Sequence, residues 1–355
     1  MSRVTIQALA KELGLSKSTV SRALNDYPDI SIDTKRRVSE VALKMGYHPS
    51  SQARGLRSGK THTIGLVLDM DSGNTHRPFL SDFLDGISGY LSERNWTLSV
   101  ATAVGMAGMV ATHRKLLLDH KVDGFIVPRN HQVDGRLQLL SEAHVPFAVY
   151  GRCDAHKSIP CFDILSEDAM REAVKRLADF GHRRIAFIGG HADANYQVIR
   201  LAGFQQGMLE SQLDYDAELS TRFAVTEEEG RQAAEALWNS PVPPTAIVCA
   251  MDRAALGACQ AARDLGLHLA SDVSVIGYDG IPEGQYAKSK LTSFAVDNKH
   301  AGETLARLLL NTIENKQKTV ENFHELQAAK LICGNTDGPA SLQPQQLASR
   351  IRQKL

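Results

Sequence analysis

The amino-acid sequence predicts a small α-helical head followed by a larger α/β core, built as two lobes with parallel sheets. Two patterns support this prediction. The first 46 residues contain three short stretches in which apolar residues recur at helical spacing, each behind a residue type that caps helices. From Thr63 onwards, short apolar runs alternate with amphipathic stretches in two successive series, which is typical of parallel strands covered by helices.

The first two predicted helices are joined at Gly14. Thr5 stands at the N-cap of the first helix, whose apolar stripe is Ile6, Leu9, Ala10 and Leu13. Ser16 can cap the second helix, whose inner face is Thr19, Val20, Ala23 and Leu24. Its outer face carries short hydroxyls and cations, namely Lys17, Ser18, Ser21 and Arg22. Such a face suits the major groove of DNA, because hydroxyls permit close approach and cations bind phosphates or guanine edges.

A third predicted helix closes the head into a compact unit. Ser31 or Asp33 can cap it, and Gly46 ends it. Its apolar face is formed by Val38, Val41, Ala42 and Met45. Two short amphipathic helices joined at a glycine can occur in any three-helix domain. The helix pattern alone therefore leaves open that the head has a structural role and does not bind DNA.

A short helix and a polar linker are predicted after the head. The stretch from Ser50 to Leu56 is shorter than the roughly 12 to 15 residues that an isolated helix needs in water, so it should be helical only when packed on a partner. The polar run RSGKTH follows and marks a domain boundary. We therefore expect a helix-turn-helix head at 1–49, a hinge helix and linker at 50–61, a two-lobed core at 62–338 and a polar tail at 339–355.

The order of the apolar runs divides the core into lobes. The first lobe is predicted to contain TIGLVLD, TLSVATA, DGFIVP and PFAVYG, and the second CFDIL, RIAFIGG, ELSTRFAV, TAIVCA and VSVIGYD. LTSFAV, a helix over 298–313 and HELQAAKLI complete the core. After Gly338 the chain is polar and rich in glutamine, so we expect a frayed tail. The helical spacing of Leu347, Ile351 and Leu355 leaves a short oligomerisation helix as the alternative.

Ligands of open parallel sheets bind beyond the carboxyl ends of the strands, which in a two-lobed protein means the cleft between the lobes. The candidate effector-binding residues are those that follow strands, namely Phe79, Arg152, Tyr196, Arg200, Met251, Asp252 and Asp279. An arginine and an aspartate can each bind two adjacent hydroxyls, and aromatic rings can cover a sugar face, so the set suits a polyhydroxylated ligand. The alternative is structural: Asp279 caps a loop and Arg200 pairs with a surface carboxylate.

Composition narrows the function further. The net charge is zero, yet residues 1–60 hold 11 Lys or Arg against 5 Asp or Glu, which gives a basic head on an acidic body. The five cysteines are isolated, which favours free thiols in the cytoplasm. We expect no signal peptide, membrane span, metal or cofactor. The motifs GxGxxG, GxxxxGK[ST] and HExxH are absent from the sequence, so an enzyme is not expected.

Several runs carry a specific resemblance. VTIQALAKELGLSKSTVSRALN, then ISIDTKRRVSEVALKMGYHPSSQARGL and TIGLVLD, are similar to the amino-terminal region of the lactose-repressor and galactose-repressor family of bacterial regulators. In the core, VIRLAGF, AALGAC, VSVIGYDG and LTSF resemble family motifs in the expected order. The resemblance covers roughly residues 3 to 336. It implies a core like that of periplasmic binding proteins, in which the helix over 298–313 returns to the first lobe and the final strands to the second. The chain then crosses between the lobes three times.

The resemblance also implies partners and contacts. The expected partners are double-stranded palindromic operator DNA, a small-molecule sugar effector and a second copy of the chain in a homodimer. In the family, paired hinge helices enter the minor groove and a leucine matching Leu56 wedges a base step. The implied DNA-binding residues are Thr5, Ser16, Lys17, Ser18, Thr19, Ser21, Arg22, Asn25, Ala53, Arg54 and Leu56. Arg200 and Asp279 have the strongest claim as effector contacts.

The sequence departs from the family pattern in the predicted pocket. Met251 replaces a residue that is often polar, Leu165-Ser166 stands where Asp-Asn is common, and an aromatic residue is displaced to Phe223. Gly151-Arg152 resembles members that answer to glycosides. We therefore expect a repressor of a carbohydrate-utilisation operon that an α-glucoside or other oligosaccharide releases. The alternatives are a corepressor-type regulator of a purine or sugar phosphate, and a sugar-binding transport protein.

Overall fold

The computed structural model describes residues 4–47, 60–70, 78–152, 159–314 and 324–353. The chain divides into two compact units, and the division lies between His62 and Thr63. The polar run RSGKTH, which ends at His62, predicts a boundary at this place.

The first unit is a bundle of three helices: α1 (Ile6–Leu13), α2 (Lys17–Leu24) and α3 (Ile32–Met45). Thr5, Ser16 and Ser31 are the N-caps, and the side chain of each accepts a hydrogen bond from a backbone N–H of the first turn. Of the two caps proposed for α3, Ser31 is therefore the one used. Gly14 and Gly46 follow α1 and α3 with φ angles of 65° and 64°, the left-handed conformation that ends a helix.

The core of the head is small and continuous across the three helices. Its buried residues are Leu9, Ala10, Leu13, Val20, Ala23, Val38 and Ala42. Val41 and Met45, which the sequence places on the same face of α3, are partly buried against this cluster. Helices of 8 residues such as α1 and α2 are too short to persist alone, so this shared core is what holds them.

The second unit begins with a parallel sheet of six strands in the order β11-β5-β4-β3-β1-β2. These strands are β1 (Thr63–Asp69), β2 (Thr97–Ala103), β3 (Gly124–Val127), β4 (Phe147–Tyr150), β5 (Cys161–Ile164) and β11 (His324–Gln327). The central strands are buried on both faces, which explains their unbroken apolar runs. Four helices cover this sheet: α4 (Pro78–Ser92), α5 (Gly105–Leu118), α6 (Gly135–Glu142) and α12 (Asn298–Glu314).

The second lobe contains a parallel sheet of four strands in the order β7-β6-β8-β9. These strands are β6 (Ile185–Gly189), β7 (Arg222–Phe223), β8 (Ala246–Cys249) and β9 (Ser274–Ile276). The antiparallel pair β10 (Ser293–Ala295) and β12 (Lys330–Ile332) lies beside it. The helices of this lobe include α7 (Ser166–Asp179), α8 (Asn195–Glu210), α9 (Glu227–Trp238), α10 (Asp252–Asp264) and α11 (Pro282–Tyr286).

The sheets correct the predicted lobe membership of two strands. CFDIL, assigned to the second lobe, forms β5 in the first sheet, where Val149 of β4 is its neighbour. HELQ, also expected in the second lobe, forms β11 and pairs in parallel with β5. The apolar pattern identifies a buried strand but does not indicate which sheet edge it joins. The three expected crossings between lobes are confirmed, after β5, after β10 and after β11.

The carboxyl-terminal segment is a folded part of the second lobe, so the expectation of a frayed tail is wrong. Residues Pro344–Arg352 form α13, which opens with a capping box between Gln343 and Gln346. Leu347 and Ile351 are 0% and 3% exposed and pack into the core of the second lobe. The helical spacing of these residues therefore serves packing within the chain.

Candidate functional site

The carboxyl ends of the two parallel sheets meet at a cleft between the lobes, as the strand-end rule predicts. We call this the inner cleft. Its first-lobe wall includes Arg129, Asn130, Tyr150, Gly151 and Asp163. Its second-lobe wall includes Asn195, Tyr196, Arg200, Met251, Tyr278 and Asp279. Asn298, at the start of α12, also lines it. Of the predicted effector residues, four therefore lie together here: Tyr196, Arg200, Met251 and Asp279.

Arg200 lies on α8 and is held between two aromatic rings. Its guanidinium carbon is 3.8 Å from the ring centre of Tyr278 and 4.5 Å from that of Tyr196. Its Nη1 donates a hydrogen bond to the carbonyl of Ala250. Its Nε is buried and makes no hydrogen bond to the described residues, and the same is true of the Tyr278 hydroxyl. The cleft thus presents two polar groups that a ligand can satisfy.

Asp279 follows β9 in a constrained backbone conformation, with a φ of 124°. Its backbone N–H donates to the carbonyl of Phe294 across 3.0 Å, which fixes its position at the edge of the second lobe. Burial raises the pKa of its carboxyl group, while Arg200 and Arg129 oppose that shift. The carboxylate of Asp279 can therefore accept hydrogen bonds from ligand hydroxyls, while the two guanidinium groups of the protein compensate its negative charge.

Neutral polar groups complete the inner cleft. The hydroxyl of Tyr150 donates to Oδ1 of Asn298 across 3.2 Å. Burial raises the pKa of Tyr150, so this hydroxyl stays protonated. Amides and hydroxyls of this kind hydrogen-bond uncharged polar ligands in both directions.

Arg152 has the expected position but not the expected contacts. It follows β4, but its guanidinium binds two carboxylates of the protein: Nε lies 2.7 Å from Oδ2 of Asp163, and the two Nη atoms lie 2.8 and 2.7 Å from the oxygens of Glu167. The side chain is 25% exposed. The expectation that this guanidinium contacts the effector is therefore corrected for this conformation, because its donors are occupied by Asp163 and Glu167.

Asp252 also differs from the expectation. Its side chain is 0% exposed and lies behind the cleft wall rather than in it. Its carboxylate accepts hydrogen bonds from the Ser293 hydroxyl across 2.6 Å and from the backbone N–H of Ile281 across 2.8 Å. Burial raises its pKa to about 7. These contacts join β10 and α11 to the start of α10, which is a structural role and not an effector contact.

Of the two other predicted positions, Met251 lines the inner cleft, whereas Phe79 stays a prediction. Met251 replaces a polar residue of the family pattern, and its sulfur lies 3.7 Å from the Tyr196 hydroxyl. It thus supplies an apolar wall and holds the tyrosine. Phe79 belongs to α4, but its side chain lies outside the described residues.

The two lobes contact each other beside the cleft through a short bridge that we call the latch. The backbone N–H of Asn195 donates to the carbonyl of Asn130 across 3.0 Å, and that of Gln132 donates to the carbonyl of Asp193 across 3.2 Å. The side-chain amides of Asn130 and Asn195 both donate to the Arg152 carbonyl, across 2.8 and 2.6 Å. The latch closes the cleft on one side and draws loops from both sheets together.

The predicted DNA-binding face lies on the first unit. Lys17, Ser18, Arg22 and Asn25 are exposed, and Ser21 is partly exposed, so the outer side of α2 is free of the head's core. Ser16 and Thr19 are tied to each other at the start of α2, with their hydroxyls 2.9 Å apart. Thr5 caps α1 at the surface. The three candidates on the hinge helix, Ala53, Arg54 and Leu56, lie outside the described residues.

Comparison with known proteins accounts for both units. Residues 5–50 match the family model described as bacterial regulatory proteins, lacI family, and residues 174–336 match a periplasmic binding protein-like domain. The HTH-type transcriptional regulator AglR of Rhizobium meliloti is 32% identical over 343 residues, which is 95% of each chain. The chain belongs to the LacI family. It is a DNA-binding transcriptional regulator of that family, and the predicted fold class is confirmed.

Two further LacI-family comparisons bear on the core. The regulator CelR of Thermobifida fusca is 31% identical over 88% of this chain and 92% of its own length. A solved structure of a complex of CelR with cellobiose covers 94% of this chain and all of that chain, with 28% identity and a TM-score of 0.70. Within the described residues, no helix is both long and apolar enough to span a bilayer.

Sequence reasoning missed part of the cleft of this LacI-family chain. Arg129 and Asn130 follow β3, so the strand-end rule that selected Arg152 applies to them equally. Tyr278, one residue before Asp279, had the same signal. Asp163 had none, because the sheet that β5 joins is set by tertiary structure. Asn298 had a signal, because the resemblance implies that the helix it begins returns to the first lobe.

Proposed function

We propose that this LacI-family regulator represses a carbohydrate-utilisation operon and leaves its palindromic operator when a neutral sugar binds the inner cleft. We propose also that it binds DNA as a homodimer. The observation that carries the sugar assignment is the cluster of Arg200, Tyr278 and Asp279. Two buried donors without a hydrogen-bond partner in the described part of the chain stand beside a carboxylate. Each such group costs about 1–3 kcal/mol when unpaired, and vicinal hydroxyls would recover that energy.

The charge balance of the inner cleft favours an uncharged ligand. Arg152 pairs with Asp163 and Glu167, which leaves a formal charge of −1. Arg129 and Arg200 face Asp279, which leaves +1, so the formal charges of the six groups sum to zero. The remaining polar groups are amides and phenols. The rings of Tyr196 and Tyr278 provide flat surfaces of the kind that cover sugars. The CelR structure, whose fold is shared, is a complex with a neutral disaccharide.

The latch provides a route from ligand binding to DNA release. It consists of contacts between the two lobes, so a ligand that touches both walls favours the closed arrangement over an open one. We propose that the difference in ligand affinity between the closed and the open arrangement of the lobes couples the cleft to the DNA-binding head. A coupling of about 1–3 kcal/mol, or roughly 5- to 150-fold in affinity, is typical and sufficient. The resemblance implies that the hinge helix transmits this coupling and that Leu56 wedges a DNA base step. Both roles stay predictions.

The test begins with thermal unfolding of the purified protein across mono- and disaccharides, sugar phosphates and purines. A ligand at 100 times its dissociation constant should add about 2.7 kcal/mol of stability. Operator fragments are selected by the protein from random duplex DNA, and their affinity is then measured by fluorescence anisotropy with and without the stabilising ligand. We expect one neutral sugar to stabilise the protein and to weaken operator binding at least fivefold.

Two arginine variants distinguish a loss of sugar binding in the cleft from a general effect of removing an arginine. Arg200→Gln should abolish the sugar response while leaving operator affinity in the absence of sugar within twofold. The matched control Arg171→Gln removes a surface arginine of the same lobe, whose side chain is 44% exposed, and should respond as the unaltered protein does. Stabilisation by a purine or a sugar phosphate alone would overturn the neutral-sugar assignment. A ligand that tightens operator binding would establish the corepressor alternative.

A further inference from the structure

The loop between β3 and α6, residues 128–134, carries the first-lobe side of the latch. Its Arg129 and Asn130 also line the inner cleft. The loop has no regular secondary structure apart from a single bridge between His131 and Ala194. Arg129 adopts a φ of 49°, a left-handed conformation that residues other than glycine rarely take unless their surroundings hold them. The contacts that fix this loop therefore decide whether the latch can form.

The loop ends in a buried ion pair that we call the anchor pair. It consists of Asp134, at the end of the loop, and Arg136, in the first turn of α6. Nη2 of Arg136 lies 2.6 Å from Oδ2 of Asp134, its Nε lies 2.9 Å from Oδ1, and each side chain is 2% exposed. Burial alone would raise the pKa of Asp134, but the hydrogen bonds and the charge of Arg136 lower it, so the carboxylate is ionised at neutral pH. The anchor pair is thus a two-point contact between opposite charges.

The anchor pair also binds the backbone of the loop. Its guanidinium donates from Nη2 to the carbonyl of Arg129 across 3.0 Å and from Nη1 to that of Pro128 across 3.4 Å. Its carboxylate accepts a hydrogen bond from the backbone N–H of His131 across 3.1 Å, and a second one, from the backbone N–H of Arg136, caps α6. The two side chains therefore hold backbone groups at three positions of the loop.

The bonds to the anchor pair alternate along the chain with bonds to the second lobe. The two carbonyls before that of Asn130 bind the anchor pair, whereas the carbonyl of Asn130 itself accepts from the backbone N–H of Asn195. The N–H before that of Gln132 binds the anchor pair, whereas the N–H of Gln132 donates to the carbonyl of Asp193. Hydrogen bonds weaken steeply when their distances and angles leave the preferred range. A loop that shifted away from the anchor pair would therefore lose its bonds to the second lobe.

A buried ion pair contributes little to stability compared with apolar residues of the same volume, but it can fix the arrangement of the groups around it. We propose that the anchor pair is a positioning pair: it holds the loop in the conformation that makes the latch bonds and thereby sets how readily the lobes close. The consequence for regulation rests on the proposed function. A sugar that prefers the closed lobes binds more weakly when the loop is not held, because the closed state is then less populated.

Hydrogen–deuterium exchange of the full-length protein without ligand tests this proposal, with fragmentation mass spectrometry to resolve single amides. The test variant combines Asp134→Asn with Arg136→Met, which leaves no buried charge unpaired and keeps a side-chain oxygen to cap α6. We expect the backbone amides of Gln132 and Asn195, which donate across the latch, to exchange at least tenfold faster than in the unaltered protein. The amides of β3 should change less than threefold, because their bonds to the neighbouring strands do not involve the loop.

A matched control removes another ion pair of low exposure. Arg176→Met combined with Asp337→Asn does so in the second lobe, where the side chain of the aspartate is 0% exposed, and should leave exchange of the latch amides within threefold. Arg136→Lys retains the charge but not the planar fork that reaches two carbonyls, so exchange of the latch amides should rise at least threefold. This variant carries the test if the double variant does not fold.

Three outcomes would overturn the role of the anchor pair. The first is that the latch amides exchange at the unaltered rate in both anchor-pair variants. The second is an equal acceleration of exchange in β3, which would show a general loss of stability, and the third is that the latch amides are unprotected in the unaltered protein. Because these measurements contain no sugar, failure of every sugar to bind would overturn the proposed function and leave the exchange result standing.

Discussion

The guanidinium of Arg152 and the carboxylate of Glu167 form a two-point ion pair that joins the lobes, with N···O distances of 2.8 and 2.7 Å. Arg152 follows β4 in the first sheet, whereas Glu167 lies in the first turn of α7 in the second lobe. The same guanidinium holds Asp163 on β5, so one side chain connects both lobes at a crossing of the chain. Such a bidentate pair fixes orientation as well as distance.

Removal of this arginine should destabilise the core. Arg152→Ala leaves Asp163, whose side chain is 12% exposed, without its guanidinium partner, and we expect a loss of about 2 kcal/mol in the free energy of unfolding. Urea denaturation followed by circular dichroism measures this loss. Arg171→Ala breaks only exposed pairs and should cost less than about 0.5 kcal/mol. Equal losses in the two variants would show that the interlobe pair adds nothing to stability.

The position of Glu167 depends on a close approach at Gly203. A Cβ atom on Gly203 of α8 would lie 2.4 Å from the carbonyl oxygen and 2.5 Å from the Cα of Glu167. Gly203→Ala must push α7 away, and we expect a loss of about 1–3 kcal/mol in urea denaturation. Gly89→Ala on α4 meets no atom within 4 Å and should raise stability by about 0.5–1 kcal/mol. If Gly203→Ala is also stabilising, α7 and α8 can separate freely.

A buried histidine should make stability fall in mild acid. His182 is 1% exposed, its Nδ1 lies 2.9 Å from the Thr245 hydroxyl, and its Nε2 lies 3.1 Å from the Gly338 carbonyl oxygen. Burial lowers its pKa below the ordinary value of 6.5, so the unfolded chain takes up a proton at a higher pH than the folded one. The stability contributed by the neutral ring is complete above pH 6.5 and is lost as the pH falls through the folded-state pKa.

Protonation of the buried Asp252, whose pKa is about 7, stabilises the folded state over the same range and opposes this loss. The prediction is therefore made on the variant: we expect the urea midpoint at pH 7.5 minus that at pH 5 to be smaller in His182→Gln than in the unaltered protein. The buried His113, whose pKa burial also lowers, contributes in the same direction. His120→Gln changes an exposed histidine and should leave the difference as it is. A midpoint difference that His182→Gln does not reduce would contradict the assignment to this histidine.

The carboxyl-terminal helix should be needed for a stable second lobe. Leu347 is fully buried against this lobe's core, so Leu347→Ala should cost about 2–5 kcal/mol in urea denaturation. Gln345→Ala, on the exposed side of α13, should be within about 0.5 kcal/mol of the unaltered protein. If α13 instead served assembly between chains, Leu347→Ala would change the mass measured by light scattering and leave the unfolding of the isolated chain unaltered.

Local signals account for what the sequence predicts well. The caps at Thr5 and Ser16 act on N–H groups within three residues, and the left-handed glycines at 14 and 46 end α1 and α3 without reference to the rest of the chain. The apolar runs that became β1, β3 and β6 are continuous because both faces of each strand are buried. The position of the cleft follows from the rule that ligands of parallel sheets bind beyond the carboxyl ends of the strands, and this rule places Arg200 and Asp279 at the same cleft.

Local patterns in the sequence specify the head, the caps, the alternation of strands and helices, and the edge of the sheets at which the inner cleft lies. The folded chain was needed to show that β5 and β11 join the first sheet, that Glu167 and Asp163 pair with Arg152, that Asp252 is buried behind the cleft, and that α13 packs on the second lobe. The difference lies in the range over which the interactions act. Caps and periodicity depend on neighbours a few residues away, whereas strand partners, ion pairs and burial depend on groups brought together across distant parts of the chain.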